Sequence, residues 1–139
     1  MAAPFYLADT SLLVKQSQNA SVLDRFERLV IDGRLAVCQM TALEFLNSAP
    51  SPNGYEVIWS ALQVHRWLDV TADAMDRALD THRRLAAKSQ HRNFTLPDLL
   101  IAATAEQHGA TVLHYDDDFD RIAAVTGQPV EWVAPRGSL

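Results

Sequence analysis

The chain of 139 residues is 48% hydrophobic and carries a formal charge of −5, long and apolar enough for one domain with a real core, which excludes a disordered protein. No apolar run approaches the roughly 20 residues of a bilayer span, and no basic segment leads into a signal-type apolar core at the N-terminus, so a cytoplasmic location without membrane contact is expected. The acidic balance speaks against non-specific nucleic-acid binding, which wants a basic surface.

In chain order, residues 5–8 predict a buried strand that ends at Asp9, and Asp9-Thr10-Ser11 opens a helix. Val22, Leu23, Phe26, Leu29 and Val30 recur at helical spacing and predict a second helix over 20–32, stopped by Gly33. A second strand is expected over 35–39; its lone Cys38 leaves no disulfide or cysteine metal site and reads as core. Thr41-Ala42-Leu43-Glu44 matches the T-x-x-E capping box and predicts the start of a third helix. Residues 50–54, Pro-Ser-Pro-Asn-Gly, are the clearest break in the chain, too short for a domain linker. Beyond it come a helix over 55–66, an extended segment over 67–70 and a long helix over 72–88.

The stretch 95–118 organises the rest of the chain. Thr95 caps a helix whose first turn holds Pro97 and Asp98, and the following LLIAATA is apolar on nearly every face, as a helix packed tightly against a sheet would be. Gly109 is the expected stop. Residues 111–115 are rich in β-formers and predict a central parallel strand with Asp116, Asp117 and Asp118 at its carboxyl end. A small helix over 118–126 and a strand over 130–133 follow. Strands alternating with helices make this an α/β chain with a parallel sheet.

Asp9, Glu44, Asp98 and the Asp116 to Asp118 cluster all lie at or near helix N-termini, where acids also serve as caps and complement the helix dipole. Their placement in the fold adds a second reading. In a parallel sheet every strand-to-helix junction lies on one edge, the edge where ligands bind, so Asp9, Asp116 and the turn before Glu44 converge there. Asp98 joins them if the preceding loop carries its helix start over the sheet. Several carboxylates within a few ångströms need a cation to be ionised together. An oxygen-rich site of this kind suits Mg²⁺ or Mn²⁺, ions that activate water and clamp a phosphodiester during in-line displacement.

The segments YLADTSLL at 6–13, TALEFL at 41–46, LPDLLIAATA at 96–105 and HYDDDFDRIA at 114–123 resemble the four motifs of PIN-domain ribonucleases, VapC-type toxins in particular. The resemblance covers nearly the whole chain. It implies a single domain over 1–139: a PIN-like, doubly wound parallel sheet of about five strands, order 3-2-1-4-5, flanked by helices. It also implies Asp9, Glu44, Asp98 and Asp116 as the metal-binding catalytic acids, Asp118 as a fifth acid that assists, and Ser11 as a supporting polar residue. Many members carry Thr or Ser two residues before the fourth acid, where His114 stands. That histidine reads either as a ring nitrogen near the metal or as a buried, hydrogen-bonded structural residue.

The function implied is a Mg²⁺-dependent endoribonuclease, the toxin of a toxin–antitoxin pair, hydrolysing RNA with a metal-activated water. A cognate antitoxin and a homodimer are implied as well, and transfer RNA and ribosomal RNA are both open as substrates. Two alternatives stand beside it. One is a haloacid-dehalogenase-like phosphatase, which wants a second Asp where Ser11 stands; the other is a catalytically silent protein- or RNA-binding module whose acids only cap helices.

Arg83, Arg84, Lys88 and Arg92 fall within residues 82–92, a segment without acids. It either borders the acidic cleft and holds RNA phosphates or is a solvated helix end whose cations stabilise its C-terminus. His65, His82, His91 and His108 lack metal-ligand spacing and read as surface residues. Tyr55, Trp59 and Trp67 read as core or, by the resemblance, as lining an antitoxin groove together with the apolar helices near 22–30. Trp132 reads as core.

Overall fold

A computed structural model describes residues 4–139. The first strand, β1 (Tyr6–Ala8), lies at the centre of the sheet, between β2 (Leu35–Cys38) and β4 (Thr111–His114). Outside them sit β3 (Arg66–Leu68), next to β2, and β5 (Val130–Trp132), next to β4. Every pairing is parallel and the order is 3-2-1-4-5, as the motif resemblance implied. Nearly all residues of the three inner strands are buried, which is why they read as continuous apolar runs; the two edge strands are partly exposed.

Successive strand residues point to opposite faces, so two cores form. Tyr6, Ala8, Leu35, Val37 and Leu113 meet α1 (Thr10–Gln16), α2 (Ala20–Ile31), α3 (Gln39–Asn47) and α4 (Pro52–Leu62) through Leu12, Leu13, Leu29, Leu46 and Leu62. On the other face Leu7, Ala36 and Val112 pack against α5 (Ala72–Ala87), α6 (Leu96–Gln107) and α7 (Asp117–Thr126), with Leu85, Ile101, Phe119 and Ile122 fully buried. Among the described residues no helix is long and apolar enough to cross a membrane.

Helix α6 positions the site. It is buried along most of its length, including Asp98, and ends at Gly109, whose φ of 66° lets the Ala110 N–H return to the Ala105 carbonyl at 2.9 Å. Helices α5 and α6 run antiparallel: Arg77 holds Glu106, while His82 near the other end of α5 lies beside Leu96. A 3₁₀ turn at His91–Asn93 reverses the chain between them. That reversal is what carries Asp98 to the carboxylates that follow β1 and β4.

Several boundaries differ from expectation, and the reasons are tertiary. Helix α3 opens at Gln39, so Thr41 and Glu44 do not form a capping box. The Thr41 hydroxyl instead donates to the Ala8 carbonyl at 2.9 Å, and the Gln39 amide ties Asp69 and Val70 to the helix start. Helix α4 begins at Pro52, capped by the Ser51 hydroxyl, and β3 starts one residue before the extended segment expected at 67–70. Thr95 occupies the cap position of α6 without a side-chain capping bond.

Tyr55 and Trp59 are 39% and 46% exposed rather than core, because α4 lies at the periphery and buries only Leu62. Trp67 packs on the α1 to α4 core as expected, whereas Trp132 is half-buried at the edge. His65, His82 and His91 are half-buried rather than on the surface; His65 meets Phe26 edge-on at 5.5 Å. His108 is exposed and Cys38 is buried, both as expected.

Candidate active site

Asp9 leaves β1 in an extended conformation and caps α1, accepting the Ser11 N–H at 3.0 Å and the Ser11 hydroxyl at 2.5 Å on Oδ2. Its Oδ1 is buried without a partner. The Ser11 hydroxyl also accepts the Tyr115 N–H at 2.8 Å, so this one side chain ties the end of β1 to the end of β4. Ser11 thus holds one oxygen of Asp9 and leaves the other without a partner.

Asp116 caps α7, accepting the Asp118 N–H at 2.9 Å. Glu44, in the second turn of α3, accepts the Thr10 hydroxyl at 2.9 Å. Asp98 sits in the first turn of α6 with Oδ2 buried and unpartnered. All five acids expected from the motifs are therefore close together. Asp9, Glu44 and Asp98 offer oxygens within 4.8 Å of one another, as do Asp98, Asp116 and Asp118, so Asp98 belongs to both groups.

Asp9 and Asp98 are 3% and 5% exposed. Burial pushes the Asp9 carboxyl up to about 6 against the opposing pull of its Ser11 hydrogen bonds. Burial, followed by the charges of Asp9 and Asp116, pushes Asp98 up to about 8. Burial and crowding thus favour the protonated form of both carboxyls relative to a free aspartate.

The donor set fits a hard divalent cation. It consists of carboxylate oxygens, two of them buried and without another partner, gathered within 4.8 Å of one another in each group, and oxygen donors are what Mg²⁺ and Mn²⁺ take. Asp9, Glu44, Asp98, Asp116 and Asp118 are the residues that would hold it.

His114 is bonded through one ring nitrogen only, and Nε2 is buried without a partner. Its ring is fully buried between Phe119 and Trp132, with centroids 5.1 and 4.9 Å away, and Nδ1 accepts the Asp116 N–H at 3.1 Å. Burial lowers its pKa, which keeps the ring neutral and able to accept that bond. The ring is thus buried and hydrogen-bonded through Nδ1, while Nε2 has no partner.

The basic segment ends beside the start of α6, the end that carries Asp98. Arg84 pairs with Asp80 at 3.1 Å; among the described residues Arg83, Lys88 and Arg92 have no carboxylate within pairing distance. A second set of cations, not anticipated from the sequence, lies around Asp117, Asp118 and Tyr115. Arg121 pairs with Asp118 and lies 4.8 Å above the Phe94 ring, Arg136 pairs with Asp117 at 2.7 Å, and Lys15 sits 5.4 Å above the Tyr115 ring. Arg121 was legible as an i+3 partner of Asp118 on a helix, but Arg136 carries no local signal.

A model of the PIN domain family matches residues 6–125. Ribonuclease VapC51 of Mycobacterium tuberculosis is 46% identical over 134 residues, 96% of each chain. Ribonuclease VapC21 of the same species is 40% identical over the same share. Among solved structures, DNA-bound VapBC from Salmonella typhimurium superimposes with a TM-score of 0.79 at 19% identity, covering 95% of this chain and 100% of that one. VapBC-5 from Mycobacterium tuberculosis, of the VapBC toxin–antitoxin systems, gives 0.60 at 26%, covering 93% and 98%. A fold, four acidic motifs and full-length relatives agree: the chain belongs to the PIN-domain family and, within it, to the VapC ribonucleases.

Proposed function

We propose that this protein is a Mg²⁺-dependent endoribonuclease, with Mn²⁺ as a working substitute, and the toxin of a cytoplasmic toxin–antitoxin pair. The observation that carries this reading is the pair of buried, unpartnered carboxylate oxygens on Asp9 and Asp98, within a cluster whose other members come from two further chain segments. Relatives named VapC ribonucleases support RNA as the substrate.

A divalent cation bound by this cluster supplies Lewis acidity that activates water and offsets charge on the scissile phosphodiester. The protein's own contribution is positional. Ser11 fixes Asp9, the Asp118 N–H fixes Asp116, Thr10 fixes Glu44, and the His114 ring holds the Asp116 backbone. No nucleophilic side chain is required, and cleavage leaves 5′-phosphate and 3′-hydroxyl ends. Arg83, Lys88 and Arg92 serve as distant phosphate contacts on the Asp98 flank.

The antitoxin takes the apolar groove of about 430 Å³ between α1, α2, α3 and α4, lined by Leu13, Phe26, Val30, Phe45 and His65. One of the similar solved structures is a toxin–antitoxin complex by name and another a member of the VapBC family of toxin–antitoxin systems, which supports a protein occupant. A second copy of the chain packs on the exposed Met75, Leu79 and Leu96 of α5 and α6.

The test is cleavage of a mixed RNA pool by purified protein with Mg²⁺ and with EDTA, with sequencing of the new 5′ ends. Mg²⁺-dependent cleavage lost in Asp98→Asn supports the reading. EDTA-resistant cleavage overturns the metal dependence; no Mn²⁺ binding by isothermal titration together with no cleavage overturns the whole reading in favour of a silent binding module.

A further inference from the structure

The cleft on the Asp118 side of the acidic cluster has the chemistry of a nucleotide rather than of a bare ion. It has a volume of about 490 Å³, within the roughly 300–1,000 Å³ range of small-molecule clefts. It is lined by Asp116, Asp117 and Asp118 and by Arg121, Arg136, Tyr115 and Trp132.

These groups are held before any ligand arrives. Trp132 donates its indole N–H to Asp120 at 2.9 Å and rests on the buried His114 ring, with Tyr115 edge-on at 5.3 Å. Arg121 is supported from below by Phe94. The half-buried Trp132 and Tyr115 offer aromatic surface to the cleft, and the two guanidiniums stand beside them.

We propose that this cleft is the subsite for the RNA nucleotide adjacent to the scissile phosphate, its base lying on Trp132 and Tyr115 and its phosphate on Arg121 and Arg136. The proposal rests on the nuclease reading above and extends it. Single-stranded RNA is recognised by stacking of splayed bases on aromatic rings, with cations on the backbone, and the cleft supplies both within one space. The two arginines can change partners. Each now pairs with an acid, Arg121 with Asp118 and Arg136 with Asp117. A cation on Asp118 frees Arg121, which makes nucleotide and cation binding mutually reinforcing.

The indole N–H signals of Trp59, Trp67 and Trp132 in a ¹H–¹⁵N spectrum of the full chain give a direct readout. Adenosine 5′-monophosphate, adenosine and inorganic phosphate are titrated separately, each with Mg²⁺ and with EDTA. The expected result is a saturable shift of Trp132 with the monophosphate, tighter with Mg²⁺, and at most weak effects of the other two probes. Arg136→Gln and Arg121→Gln should each weaken monophosphate binding by about tenfold, the size of one charge-assisted contact. The Arg136 side chain is 68% exposed, so its replacement does not threaten the fold.

An unmoved Trp132 signal overturns the subsite. So does phosphate alone binding as tightly as the monophosphate, or wild-type affinity in both arginine variants. The nuclease reading fails separately, if Mg²⁺ neither binds nor supports RNA cleavage; monophosphate binding in EDTA still decides the subsite in that case.

Discussion

On one wall of the acidic cleft Asp9 and Asp98 are nearly sealed from solvent, and each keeps an oxygen without a partner; on the other, Asp117 and Asp118 are more exposed and already face Arg136 and Arg121. Among the described residues no side-chain cation pairs with the inner wall, which leaves a proton or a metal ion to neutralise it. The outer wall is neutralised by side chains that can swing away. Burial thus divides the labour: the inner wall demands a cation and the outer wall can exchange one partner for another.

The sharpest way to break this contrast is to remove charge from each wall in turn. Asp9→Asn and Asp98→Asn, near-constant in volume, are expected to lower RNA cleavage by at least about a thousandfold, equivalent to about 4 kcal/mol of lost transition-state stabilisation. Asp118→Asn should cost less, and Asp117→Asn least, since Asp117 belongs to neither group of close carboxylates. Initial rates for the four purified variants check the order. Equal losses on both walls would erase the distinction.

Cation binding should next appear as stability. At about 100 times its dissociation constant Mg²⁺ should add ~2.7 kcal/mol, which for a chain of this size moves the melting midpoint by on the order of 10 °C. The shift should vanish in Asp98→Asn, the acid shared by both groups, and persist in Asp117→Asn. Thermal melts with EDTA and with excess Mg²⁺ make the comparison.

Without metal, the inner wall should also set the pH dependence. Asp9 at about 6 and Asp98 at about 8 both lie above the ordinary 3.8, so the folded chain binds more protons than the unfolded one between those values. The stability from these groups is fully present below pH 3.8 and lost as pH rises through about 6 and then about 8. Denaturant titrations in EDTA across that range should show the decline, with a shallower slope in Asp98→Asn. A stability that rises over the same range would contradict the assignment of the sealed wall.

The smallest effect is expected from the far flank. Replacing Arg83 and Lys88 with Gln should reduce the slope of log K against log salt for single-stranded RNA by up to ~0.7 for each phosphate that is no longer neutralised. An unchanged slope would mark that segment as a solvated helix end.

Much of the fold was legible, for local reasons. Apolar spacing marked the helices of the first half, and Gly33 and Gly109 marked stops where the chain takes a positive φ. The apolar character of α6 on every face announced its burial. The acids stood out by their positions at helix starts and strand ends, whereas the strand order and their assignment as metal-binding acids followed from motif resemblance. The misreadings have a common origin. Thr41 looks like a cap by its spacing from Glu44, yet its hydroxyl is drawn to the Ala8 carbonyl; Tyr55 and Trp59 look like core by type, yet α4 turns them outward. Both depend on a neighbouring element that short-range pattern does not contain.

What the sequence determined by itself is which residues can carry the chemistry: carboxylates at strand-to-helix junctions, an apolar scaffold of the right period, and a helix that starts with Asp98. What only the tertiary structure decided is the electrostatic state of those residues. Ser11 reaches Tyr115 across 104 positions and Arg25 reaches Glu131 across 106, contacts for which nothing local in the chain gives notice. The raised values at Asp9 and Asp98 and the arginine partners of the outer acids likewise depend on burial and on separations of a few ångströms. Charge interactions change steeply with burial and distance, and both quantities exist only once the chain has folded.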